Sequence, residues 1–175
     1  MWFFKPSGEG WSIHEIILHL ADSEVCAYEV CRRFIAEPDS PVVAFDVVQW
    51  ARCLGYFHQS ARDALEIIRR LRSMTYQVLV MLPTPVWEHA LEHPRHGRLS
   101  LVEWVEIQER HIPHHIDQMK KNYEKWRRKN PRRKTAIGAA MDRMESGASY
   151  KGKQKVVYLR NNFKSGRDTR VLVTE

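Results

Sequence analysis

Across positions 101–119 a single stripe recurs every three or four residues: Leu101, Trp104, Val105, Gln108, His111, Ile112, His115 and Met119. That period puts them on one face of an α-helix, whose start is marked by Ser100-Leu101-Val102-Glu103. A helix with one such face must bury it against other elements. Here the face to be buried carries two histidines. His111 and His115 are four residues apart, so their rings sit one above the other and can both reach one metal ion. A surface pair would sit among charges, and this one does not. A pair is half a site, and a third ligand must come from elsewhere. Pro113 lies between the two. It lacks an N–H for the carbonyl of Glu109 and crowds it, at a cost of roughly 3 kcal/mol. Strain inside an element marks a candidate functional site, and a kink at Pro113 would re-aim His111 relative to His115. His114 points about a quarter turn away from His115. Asp117 and Gln118 are candidates to orient the imidazole N–H groups.

The other helices follow from the same spacing. Ser12 and Glu15 form a capping box, and Ile16, Ile17, Leu20, Ala27, Tyr28 and Cys31 continue at helical period to about position 36. The loop composition Glu37-Pro38-Asp39-Ser40-Pro41 ends that helix. His19 lies on or beside its buried stripe, where a lone histidine is ordinarily a hydrogen-bonded core residue. Residues 42–82 are predicted helical for most of their length, with Gly55 dividing a short helix (45–54) from a longer one. The longer one has Ala64, Leu65, Ile68, Leu71, Tyr76, Leu79 and Met81 as its apolar stripe. Residues 86–98 are expected to form a connector with one helical turn at 86–91. His89, His93 and His96 fall there, two of them also four apart. Pro94 and Gly97 interrupt any helix that would aim them together, so they read as a polar loop at the mouth of a pocket.

Charge divides the chain. Residues 1–119 carry 11 Lys/Arg and 16 Asp/Glu, a net −5, whereas residues 120–175 carry 17 and 5, a net +12. Nucleic-acid binding would therefore have to be argued for the tail alone. Residues 120–134 hold nine basic residues and one acidic one, with Tyr123 and Trp126 among them. Cations near a helix C-terminus are favoured by the helix dipole, and no base-reading motif accompanies them, so nucleic-acid contact is the weakest reading. Residues 135–146 are expected to form a short helix, and residues 156–159 and 170–173 a hairpin. No apolar run is long enough for a membrane span. The three cysteines form no Cys-x-x-Cys and suit reduced thiols, so a cytoplasmic location is expected.

With Trp11-Ser12-Ile13-His14-Glu15-Ile16-Ile17-Leu18-His19-Leu20-Ala21-Asp22 and His111-Ile112-Pro113-His114-His115-Ile116-Asp117-Gln118 both present, the chain resembles the DinB/YfiT-like superfamily. That family's first motif is Trp-Ser-x-x-Glu-x-x-x-His-Leu-x-Asp, and its last helix carries His-x-x-x-His followed by Gln. Phe45-Asp46 with Trp50, Arg72, and Gly97 before Leu99-Ser100-Leu101 also fall where the family has similar residues. The resemblance spans residues 5–126. It implies an all-α, four-helix bundle over residues 1–126, with residues 127–175 as a basic extension. It implies a divalent metal, Zn²⁺ or Ni²⁺, held by His19, His111 and His115 with open coordination positions.

Activity implied by the resemblance is metal-dependent hydrolysis of a small molecule, or S-transfer involving a low-molecular-weight thiol. The alternative is a non-catalytic metal-binding module. No general base is identified. Family members begin with a full helix upstream of the Trp-Ser motif, whereas ten residues precede Trp11 here. The first helix is thus expected to be missing or replaced. Residues 135–146 or a partner subunit would complete the core, or a truncated reading frame would leave it incomplete, and a homodimer is expected.

Overall fold

The computed structural model describes residues 1–6, 8 and 10–131. Its helix starts are all encoded locally. The first helix, α1 (Ile13–Ala36), opens on the Ser12 box: the Ser12 hydroxyl accepts from Glu15 N–H, and the Glu15 carboxylate accepts from Ser12 N–H at 2.8 Å. Asp46 caps the short α2 (Val47–Cys53) by accepting from Val48 and Gln49 N–H. Gly55 follows at φ +60°, a left-handed position that a side chain would strain. It leads through one 3₁₀ turn (Tyr56–His58) to α3 (Ala61–Leu79), capped by Ser60. The last of the described helices, α4 (Leu101–Lys129), opens on a second capping box, Ser100 with Glu103. The expected kink does not break this helix, which continues through Pro113 to Lys129. One missing N–H removes a single rung of the ladder, and the stripe on either side of it remains packed.

Residues 86–98 depart from the sequence reading. After a 3₁₀ turn at Thr84–Glu88 the chain forms an antiparallel hairpin, β1 (Ala90–His93) with β2 (Gly97–Ser100), in the register Ala90↔Ser100 and His93↔Gly97. Pro94 and Gly97, which forbid a helix here, supply the turn chemistry of a three-residue hairpin loop. Gly97 takes φ +71°, and His96 N–H donates to the His93 carbonyl at 3.1 Å. Leu91 is fully buried, and Leu101 N–H donates to the His89 carbonyl at 2.9 Å. The hairpin thereby fixes where α4 begins.

The long helix α1 packs on both α3 and α4, and its burial alternates in blocks. One apolar cluster gathers Ile13, Ile16, Ile17, Leu20, Ala21, Tyr56, Ala64 and Ile68, with Ile112 and Met119 against it. A second gathers Ala27, Val30, Cys31, Phe34, Leu79, Trp87, Leu91, Leu101 and Trp104. Replacing a side chain such as the fully buried Phe34 by alanine would cost about 3–5 kcal/mol. Between the clusters α1 turns polar. The Tyr56 hydroxyl donates to Asp22, and Arg72 donates to Glu24 at 2.8 Å and to the Gln108 carbonyl at 3.2 Å. Glu24 is buried, and burial raises its carboxyl pKa against the opposing pull of Arg72.

Some expected stripe residues lie elsewhere. Tyr28 is half-buried under the Arg32 guanidinium, whose carbon lies 3.2 Å from the ring centroid. On α3, Ala64, Ile68 and Leu79 are buried, whereas Leu65 and Met81 are exposed. Leu65 is one residue off the buried line, and Met81 lies past the end of the helix, where the period no longer applies. No helix precedes α1 among the described residues. Met1 and Trp11 pack on the first cluster instead, His14 N–H donates to the Trp2 carbonyl, and Asn122 of α4 donates to the Trp11 carbonyl at 2.8 Å. The expected elements at 135–146 and 156–173 lie outside the described residues. None of the described helices is long and apolar enough to cross a membrane.

Candidate metal centre

The polar block of α1 begins with His19, which is 5% exposed and faces α4. Its ring centroid lies 4.9 Å from that of His115 and 5.4 Å from that of His111. One nitrogen from each of the three rings falls within 4.8 Å of the others. The structure therefore brings together the three histidines singled out from the sequence, one from an early helix and two from the last. His111 Nε2 and His115 Nε2 are 3.1 Å apart. Two ligands about 2.0–2.1 Å from a shared tetrahedral ion stand at nearly that separation, so the donor set fits a divalent metal.

Neighbours set the tautomer. His115 Nδ1–H donates to Gln118 Oε1 at 2.8 Å, which leaves the Nε2 lone pair directed at the other two rings. Gln118 thus has the orienting contact foreseen for it. Asp117 does not: its side chain is 69% exposed and faces Lys120 at 4.0 Å. The Ser23 hydroxyl lies 3.3 Å from His19 Nε2, and the Trp11 ring packs 4.6 Å from the His19 ring. His114 is exposed, outside the group.

Electrostatics keep these rings neutral. Burial, then the charges of His115, His111 and Arg95, push His19 down to about 3. Burial, then His115, Arg72 and His114, push His111 down to about 4. His115 is also lowered, by burial first, with the Gln118 hydrogen bond opposing and His114 adding to the effect. Neutral imidazole is the form that binds a metal.

His19 and His111 line a cavity of about 700 Å³. Apolar wall comes from Val30, Val42 and Trp104, and the hairpin contributes His93, Arg95 and His96. Residues 86–98, expected as a polar loop at a pocket mouth, border the cavity as part of a hairpin. His89, His93 and His96 do not form a group like the first. His89 Nδ1–H donates to the Phe34 carbonyl at 2.9 Å, and His93 Nδ1 accepts from Arg95 N–H at 3.2 Å. Arg95 was not singled out from the sequence, where a single arginine among histidines carries no periodic signal.

The family described as the DinB superfamily matches residues 1–119. A protein of Oceanobacillus iheyensis, named a putative metal-dependent hydrolase, is 28% identical over 107 residues. The match covers 61% of this chain and 62% of that relative, so the chain spans less than two thirds of its length. YfiT from Bacillus subtilis, described as a probable metal-dependent hydrolase with an unusual four-helix bundle topology, superposes with a TM-score of 0.59 at 18% identity. That superposition covers 70% of this chain and 73% of YfiT, and at such identity it speaks for the fold.

Proposed function

The chain belongs to the DinB superfamily, and from that premise we propose that it is a metal-dependent enzyme acting on a small molecule, with His19, His111 and His115 as the ligands. One observation carries the reading: three neutral imidazoles converge, and two of them, His19 and His111, line a cavity large enough for a substrate. The hydrolase name borne by the Oceanobacillus relative agrees with it. A divalent ion at these nitrogens supplies Lewis acidity, which brings a water or a thiol toward its nucleophilic form near neutral pH. Imidazole suits both Zn²⁺ and Ni²⁺, and either ion satisfies the proposal.

The chain's own residues do the rest. Gln118 holds the His115 ring in one tautomer and one orientation. Burial by Trp11 and the apolar cluster beside it keeps protons off His19. His19 and His111 share the cavity lining with His93, Arg95 and His96 of the hairpin, so a substrate in it would lie between the hairpin and the proposed ligands. Hydrolysis and S-transfer from a low-molecular-weight thiol share this machinery and differ in the nucleophile.

Metal analysis of purified protein tests the site. The wild type is expected to hold about one divalent ion per chain, and His115→Ala to hold none. Equal metal content in the two discards the site. A second assay combines protein, metal, a low-molecular-weight thiol and an alkylating electrophile. Conjugation no faster than in a His19→Ala control removes the transferase branch and leaves hydrolysis. A cavity beside the ligands is what a purely structural metal module does not need, and this favours the enzyme. Stability lost on chelation, with no turnover on a broad substrate panel, would reverse that preference.

A further inference from the structure

The cavity beside the three histidines has walls of one sign. Its charged lining is Arg95 and Arg110, and no Asp or Glu lines it among the described residues. This is unusual for a region of the chain that is net negative, since residues 1–119 carry 11 Lys/Arg against 16 Asp/Glu. Elsewhere in that region Arg33, Arg69, Arg70, Arg72 and Arg98 each face a carboxylate, whereas Arg32, Arg52 and Arg62, like Arg95 and Arg110, form no ion pair among the described residues but lie outside the cavity lining. Arg95 instead donates to the Phe45 carbonyl, which anchors the guanidinium without neutralising it. It shares the cavity lining with His19 and His111, two of the proposed ligands. Arg110 is exposed on α4, one residue before His111, and makes no ion pair among the described residues. Uncompensated cations against a low-dielectric wall attract anions and repel cations. A guanidinium also matches the planar oxygen pair of a carboxylate, or two oxygens of a phosphate.

We infer that the cavity takes a small molecule bearing an anionic oxygen group, carboxylate or phosphate, held by Arg95 and Arg110. Its apolar body lies on Val30, Val42 and Trp104, and its reacting end is turned toward His19 and His111. The last clause rests on the metal-dependent reading above, whereas the anion-binding clause stands on the arginines alone. Arg95 and Arg110 are then the residues that set substrate class. A neutral analogue of the same shape would leave Arg95 without its partner and bind less well.

The test is calorimetry on the full chain, both loaded with Zn²⁺ and after chelation. The probes are phenylacetate, phenyl phosphate and neutral phenylacetamide. At least one anion is expected to bind about tenfold more tightly than the amide in both metal states, and the tighter of the two anions identifies the group. Arg95→Gln should remove most of that preference while leaving metal content unchanged. Because Arg95 also anchors the Phe45 carbonyl, Arg110→Gln serves as the second variant. It disturbs no hydrogen bond and should weaken anion binding a few-fold without altering amide binding. Equal affinity for the anions and the amide in the wild type overturns the inference. So does a preference that survives both substitutions, or one that vanishes on chelation and so belongs to the ion. Metal content, read separately in the same samples, judges the three-histidine proposal whichever way calorimetry falls.

Discussion

Two trios of histidines in this protein each contain a pair four residues apart, and they do different things. His19, His111 and His115 come from two facing helices, and their nitrogens gather within 4.8 Å. His89, His93 and His96 come from one hairpin and the residue before it; the His93 and His96 rings lie 4.7 Å apart, but His89 is turned elsewhere and the three do not gather their nitrogens as the first trio does. One holds the Phe34 carbonyl, and one stacks 5.2 Å from Trp104. The difference is the backbone between the pair. Four residues of helix advance roughly 6 Å along the axis and return to the same face, whereas four residues of strand cover roughly 13 Å. The spacing has metal chemistry in it only when a helix carries it. The second requirement is a third donor from another element, and α1 provides that for the first trio alone.

The sharpest way to break this contrast is to remove one ring from each trio. His111→Ala should drop bound metal to background, and His96→Ala should leave about one ion per chain, both read by atomic absorption. Retention in the first variant, or loss in the second, would invert the assignment. Next in size is the orienting contact. Gln118→Ala should weaken metal affinity about 10–100-fold in a competition titration with a chromogenic chelator. Its exposed neighbour Asp117→Ala should leave affinity unchanged.

Acidity separates the trios by degree. His19 and His111 are held at about 3 and about 4, below the ordinary 6.5, and His93 is lowered as well by its burial. Below pH 6.5 the unfolded chain takes up protons that the folded chain refuses. Stability of the chelated protein should therefore be full above pH 6.5 and decline as pH falls from 6.5 toward 3. Urea midpoints across that window check it. His111→Gln should flatten the slope without abolishing it, and an unchanged slope would mean the protons go elsewhere. The smallest effect belongs to His89→Ala. It removes one hydrogen bond to the Phe34 carbonyl at a cost of about 1 kcal/mol, a few degrees in Tm, with metal content untouched.

What could be read in the sequence is what local rules control. Ser12 with Glu15, Ser100 with Glu103, and the loops around Pro38 and Gly55 set helix boundaries through contacts within a few residues. The four-helix bundle came instead from the resemblance carried by the two histidine motifs. His111 and His115 were legible because a helical stripe shows its own face, and His19 became legible through its motif. The hairpin is not legible because Pro94 and Gly97 break a helix as readily as they form a turn, although Leu91 and Leu99 flank them as strand residues would. Glu24 and Arg95 were missed for another reason. Each acquires its role from partners 48 and 50 residues away, and neither leaves a trace in periodicity. The exposure of Leu65 marks the same limit, since apolar character alone does not say which flank of α3 meets α1.

The buried pairing of Glu24 with Arg72 has a consequence for the whole assembly. Aliphatic side chains on three long helices stack almost as well after one helix slips by a turn, because a leucine has no preferred address. A carboxylate sealed away from water has only one. Shift α3 along α1, and Glu24 is left interred with no cation, a penalty of several kcal/mol. The salt link works as a key cut for one alignment, and through the Gln108 carbonyl it locks α4 as well. Among the many greasy stackings open to these helices, it selects the one in which three rings meet at a point.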